Sequence, residues 1–151
     1  MSKSLYDAED YQEILERVHR LEDSSQATWG EMSTAQMFAH CAEVTAVMSG
    51  RKTLKNSPFF LRLLAPMIRR AVFGAKPYPK SSPTHPQYRI AEQKDFQKEK
   101  DALLAELEYF YEQSNDADLK IRHPFLGGID FKDRGWGAYK HLDHHLQQFG
   151  V

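Results

Sequence analysis

Apolar residues recur at helical spacing in four long stretches of this chain, and none of the four alternates as a half-buried strand would. The first runs from about residue 7 to 22, with Tyr11, Ile14, Leu15, Val18 and Leu21 on one stripe, and the polar stretch 24–30 breaks it. The second opens at Ser33, which with Gln36 reads as a capping box; it continues through Met37, Cys41, Val44 and Met48 and stops at Gly50, a C′ residue. The third spans about residues 92–113, with Phe96, Leu103, Leu107 and Phe110 as its apolar seam. Residues 114–130 read as a loop, punctuated by His123-Pro124 and Gly127-Gly128. The last stretch covers about residues 132–149 and is closed by Gly150. Gly135 and Gly137 weaken its first turns by about 1 kcal/mol each relative to Ala, which packing of Trp136, Tyr139, Leu142, Leu146 and Phe149 offsets.

Between the second and third helices lies a long connection, residues 51–91, which holds six of the seven prolines. It contains a fifth, shorter helix opened by Ser57 and Pro58, running through Phe60, Leu63, Leu64, Met67, Ile68 and Ala71 and kinked by Pro66. There are no repeats and no domain boundary. The pattern predicts one all-α domain over residues 1–151, a four-helix bundle with one long helix 2–helix 3 crossover that carries an extra short helix.

Composition narrows the function classes. A chain of 151 residues buries roughly 68–70% of its unfolded surface, so it needs no disulfide or metal merely to fold. Its 20 basic and 21 acidic residues argue against a dedicated nucleic-acid binder. The single cysteine, Cys41, excludes an intramolecular disulfide and fits a reducing compartment. The N-terminal stretch has no apolar h-region, and the longest apolar run, residues 58–68, is interrupted by Arg62 and too short to span a bilayer. A cytoplasmic protein without membrane insertion is the expectation. The connector helix sets Arg62, Arg69 and Arg70 beside Phe59, Phe60, Leu61 and Phe73, which suits a membrane surface, a cap on the bundle end or a dimer contact; the last two are preferred.

Candidate chemistry concentrates in histidine. His141 and His145 are four residues apart, the spacing with which one helix offers two imidazoles to one ion. Gln148 lies within the same narrow arc, since four and seven residues advance by about 40° and 340°. His40 falls on an inward face of the second helix, with Gln36 one turn before it and Glu43 three residues after. Three imidazoles with an open position make a catalytic type of metal site, whereas a structural zinc site is closed by four ligands. Against this stands the plainer reading of hydrogen-bonded histidines at a core edge. His144 is rotated about 100° from His145 and is a donor to the ligands, an alternative ligand or a solvent-facing residue. Asp143 reads as a solvated carboxylate, Cys41 as a small buried apolar residue, and Glu16-x-x-His19 as a surface pair. Trp29, Trp136 and the His123-Pro124-Phe125 turn read as packing residues.

Gln36-Met37 followed by His40, then His141-x-x-x-His145 with His144-His145-x-x-Gln148-Phe149, resembles the DinB-like (YfiT-like) metal-binding four-helix bundle superfamily over nearly the whole chain. Within it, Trp29-Gly30-Glu31-Met32-Ser33, His123-Pro124-Phe125-Leu126-Gly127 and His141-Leu142-Asp143-His144-His145 resemble a bacterial branch of domains of unknown function. The resemblance implies a divalent metal on His40, His141 and His145, and relatives that include thiol transferases using low-molecular-weight thiols. Zinc or nickel suits imidazole. Gln36, Glu43, His144 and Gln148 are the candidates to orient ligands or substrate. The implied activity is a metal-dependent hydrolase or thiol S-transferase acting on a small molecule; the alternative is a non-catalytic ligand-binding or dimerisation module. A homodimer is expected from family habit and the apolar connector helix. The long connector departs from the shortest family members, so its substrate contacts do not carry over.

Overall fold

The computed structural model describes residues 3–55 and 58–151. The chain is mostly helical: α1 (Ala8–Arg20), α2 (Thr34–Met48), α3 (Phe60–Leu63), α4 (Ala65–Phe73), α5 (Phe96–Glu112) and α6 (Phe131–Gln148), with one short hairpin, β1 (Ile121–His123) and β2 (Gly127–Ile129), before α6. The four longer helices pack on one another, α2 chiefly against α5 and both α1 and α2 against α6.

Each long helix begins where a side chain accepts from its first free N–H groups, the unsatisfied donors every helix carries. Asp7, Asp95 and Asp130 cap α1, α5 and α6. Ser33 and Gln36 form the full reciprocal box on α2. Gly50 takes the C′ place after α2 with φ +80°. The apolar stripes then meet in one core, in which Ile14, Phe38, Leu103, Leu107, Phe110, Leu142 and Leu146 are essentially inaccessible. Burial of each contributes about 1.5–3 kcal/mol.

Three features depart from the sequence reading. Residues 121–129 are not an irregular loop: Ile121 pairs with Ile129, Arg122 with Gly128 and His123 with Gly127 in an antiparallel ladder. The connector helix is two helices broken at Leu64, because Pro66 sits in the first turn of α4, where its missing N–H costs nothing. The expected start at Ser57 lies outside the described residues. Asp143 is not merely solvated: it takes Nη1 of the buried Arg17 at 2.8 Å, and Arg17 also donates to the Val151 carbonyl at 3.0 Å, which fastens α1 to α6 and the chain end.

The glycines of α6 have a packing reason. A Cβ on Gly137 would lie 2.8 Å from Cε1 of Phe73, and one on Gly135 2.2 Å from Oγ of Ser4. Their absence lets α4 and the N-terminal segment come against the helix. Around that contact Trp136 Nε1 donates to the Phe73 carbonyl at 3.0 Å. Lys140 Nζ donates to the carbonyls of Ala71 and Gly74 at 2.6 and 2.8 Å, supplying a cation where α4 ends. Arg69 ties α4 to the hairpin through the carbonyls of Leu126 and Gly128, and to α6 through Asp133 at 2.7 Å. The connector is therefore held onto the helices that bear the histidines.

Candidate metal centre

The core stripe of α6, Leu142 and Leu146, leaves His141 and His145 on the border facing α2, and the α2 face behind Met37 and Cys41 turns His40 toward them. The three rings meet: centroids are 5.0 Å apart for His40 and His141, 4.7 Å for His40 and His145, and 4.7 Å for His141 and His145. One ligating nitrogen from each lies within 4.8 Å of the others, close enough to hold a metal ion. A tetrahedral ion with nitrogens at ~2.05 Å requires them about 3.3 Å apart.

Hydrogen bonds settle which nitrogens face inward. His40 Nδ1 lies 2.8 Å from the Tyr88 carbonyl, which only accepts, so Nδ1 carries the proton and Nε2 keeps its lone pair. His145 Nδ1 lies 2.9 Å from Gln148 Oε1, and Gln148 Nε2 donates to the Trp29 carbonyl at 2.7 Å, which fixes the direction of the amide. His145 therefore also presents Nε2. Gly30, at φ +81°, is part of this arrangement, since a Cβ there would meet Gln148 Nε2 at 2.5 Å.

His141 is different. Its Nε2 lies 3.0 Å from His40 Nε2, and its Nδ1 is shielded from solvent with no hydrogen-bond partner among the described residues. Two imidazole lone pairs do not face each other at this distance without a proton or a cation between them. A proton on His141 Nε2 closes this contact as a hydrogen bond to His40, and the same donor set fits a divalent ion in that proton's place: three neutral imidazoles, two of them oriented by outer partners, as metal-ligating histidines generally are.

Electrostatics keeps the rings neutral. Burial lowers the His40 pKa below its ordinary value, with the nearby His144 adding to the effect. His141 is pushed well down by burial and then by His145, His40 and His144. His145 is lowered to about 3 by burial and then by His40, against the opposing bond to Gln148. Neutral imidazole is the ligating form.

Of the residues expected to orient the ligands, Gln148 does so directly. His144 stands beside the cluster, its ring 5.0 Å from that of His145 and edge-on to Tyr78 at 5.5 Å. Gln36 does not reach the histidines: its amide closes the α2 capping box and donates to the Glu92 carbonyl at 3.0 Å. Glu43 does not reach them either. It pairs with Lys52 and accepts from Gln87 Nε2 at 2.8 Å, which holds the 3-10 turn Pro86–Tyr88 that carries the His40 acceptor. Cys41 is buried behind the site, and burial drives its thiol pKa far up, so it is neither ligand nor nucleophile. His123 packs in the hairpin, where Nδ1 accepts from the Leu126 N–H at 3.3 Å.

Residue-type reasoning missed Tyr78, Tyr88 and Lys140. Tyr88 supplies a backbone carbonyl and Tyr78 an aromatic wall beside His141 and His144. Lys140 lies over the Tyr78 ring at 4.4 Å. No spacing in the sequence signals a partner 48 residues away.

The model of one protein family, described as a protein of unknown function (DUF1569), matches residues 2–150. No curated protein and no solved structure matches the chain.

Proposed function

Because the chain belongs to the DUF1569 family, whose description names no activity, we propose its function from the site: a divalent-metal-binding protein on a DinB-like four-helix bundle. His40, His141 and His145 hold one zinc or nickel ion and leave a coordination position open to a small ligand. The observation that carries this is the convergence of three core-edge imidazoles, one ligating nitrogen of each within 4.8 Å of the others, with His40 and His145 held by outer partners so that Nε2 faces inward.

Within this reading, thiol transfer from a low-molecular-weight thiol to an electrophilic small molecule is favoured over hydrolysis. A bound divalent ion supplies Lewis acidity that lowers the pKa of water to about 7 and deprotonates a thiol outright. The carboxylates that could serve as a base are engaged elsewhere, Glu43 by Lys52 and Gln87 and Asp143 by Arg17, which leaves His144 as the proton acceptor for either reaction, and restriction of water by Tyr78 and Tyr88 is what favours the thiol. The buried Cys41 cannot serve as the thiol, so the thiol comes from solution. His144, half-buried and next to His145, takes up the thiol proton at a ring nitrogen. Tyr78 and Tyr88, from the connector, wall the approach and keep water out.

Elemental analysis after equilibrium dialysis against zinc or nickel tests the reading. It requires one ion per chain, lost in His141→Ala and His145→Ala with helix content retained. Absence of stoichiometric metal in the wild-type protein overturns it and leaves a non-catalytic module of the same fold. Metal uptake without transfer of any thiol to a model electrophile removes the enzymatic part alone.

A further inference from the structure

One surface is left unexplained by the metal site. On α3 and α4, Phe59 is 81% exposed, Leu63 77% and Met67 64%, with Phe60 and Leu64 about half exposed beside them. These residues recur at intervals of three and four, so they form one stripe along the helix pair. The opposite side of the pair faces the body of the protein: Ile68 and Phe73 pack on the core, and Arg69, Trp136 and Lys140 fasten it. The stripe is thus held outward and is not a helix waiting to fold back.

Charge says what it faces. Residues 44–91 hold nine of the chain's 20 Lys and Arg and none of its 21 Asp and Glu. Arg62 and Arg70 flank the apolar stripe, exposed and without a carboxylate partner among the described residues. The remainder of the chain is accordingly strongly acidic. An apolar helix face bordered by unpaired cations, on a protein in which no described helix is long and apolar enough to cross a membrane, has the character of an interfacial anchor. A second copy is disfavoured. An isologous contact would bring two copies of the same patch face to face, each bordered by Arg62 and Arg70 and neither supplying a carboxylate, and five apolar side chains fall well short of the roughly 20–30 residues a side of a stable dimer.

We propose that α3 and α4 dock this protein onto an anionic phospholipid surface, with Phe59, Leu63 and Met67 entering the acyl boundary and Arg62 and Arg70 among the headgroups.

Sedimentation of the full chain with phosphatidylcholine vesicles, with and without phosphatidylserine, tests this. The wild-type protein should pellet only with the anionic vesicles and be released by high salt. Arg62→Glu/Arg70→Glu should lower partitioning by roughly 30-fold or more, since each cation near such a surface counts for about fivefold. Leu63→Ser/Met67→Ser should lower it by roughly tenfold or more. All four positions are on the exposed side, and circular dichroism checks that both variants fold. No binding to anionic vesicles, equal binding to neutral ones, or binding undiminished in both variants overturns the proposal. So does a wild-type dimer, seen by light scattering, that Leu63→Ser/Met67→Ser dissociates while vesicles pellet neither protein; the stripe would then belong to a second copy.

Discussion

Gln148 is the residue on which the orientation of His145 depends, and comparing its replacement by leucine with its replacement by glutamate separates metal affinity from stability. Its side chain is buried and does two things at once, accepting from His145 Nδ1 at 2.9 Å and donating to the Trp29 carbonyl at 2.7 Å. Gln148→Leu keeps the bulk and removes both bonds. His145 then loses the acceptor that makes Nε2 the free nitrogen, and loss of such an outer partner costs 10–100-fold in metal affinity, about 1.4–2.7 kcal/mol. The carbonyl and the ring N–H left behind cost stability as well, about 1–3 kcal/mol each if water does not reach them. Gln148→Glu is the informative partner. It retains an acceptor for His145, now charged, but loses the donor to Trp29. Stability should therefore fall while zinc affinity holds or rises. Competition titration against a chromophoric chelator reads affinity, and urea unfolding of the metal-free protein reads stability. Wild-type zinc affinity in Gln148→Leu would refute the argument that this amide sets the ligand.

Three further expectations follow from the packing and the titrating groups. Gly137→Ala should lower the thermal midpoint, although helix propensity alone favours alanine by about 1 kcal/mol. The added Cβ stands 2.8 Å from the Phe73 ring, and overpacking of this kind costs about 1–3 kcal/mol; a raised midpoint would contradict it. His123 titrates near 6.5 when unfolded and at about 4 when folded, depressed first by burial and then by His85. Its contribution is intact above pH 6.5 and is lost as pH falls toward 4, about 2 kcal/mol by pH 5. Between pH 7 and 5, His123→Asn should lose less stability than the wild type by that amount, and identical losses in urea unfolding would contradict it. Arg17→Ala removes the ion-pair partner of Asp143, which keeps only the Gln147 amide, and leaves the Val151 carbonyl without its donor; it should cost about 2–3 kcal/mol, below the full value for a buried pair because Asp143 is partly exposed. An unchanged unfolding midpoint would show that Arg17 does not bind the chain end.

What the sequence displayed was periodic or local. The apolar stripes marked the four long helices, Ser33 and Gln36 marked the start of α2, and the spacing of His141 and His145 placed two rings on one face. His40 was assigned from the register of its helix, and it does face them. Gln148, one turn beyond His145, was also legible in that register. Gln36 and Glu43 misled because position on a helix says where a side chain starts and not what it meets. Both are taken by groups between α4 and α5, the Glu92 carbonyl and Gln87, that approach from 44 or more residues away. The Tyr88 carbonyl and the Arg17–Asp143 pair are likewise products of the assembled fold. The hairpin escaped because strands of three residues are too short to show alternation. Gly135 and Gly137 looked like weaknesses of α6 until the side chains pressed against them were in place.

X-ray absorption at the metal edge of the zinc- or nickel-loaded protein tests the central claim most directly. Three imidazole nitrogens at about 2.0–2.1 Å and one exchangeable light atom, replaced by sulfur when a small thiol is added, is the result expected for zinc. A shell with fewer than three imidazoles, or one that survives unaltered in His141→Ala, would contradict a single ion held by His40, His141 and His145.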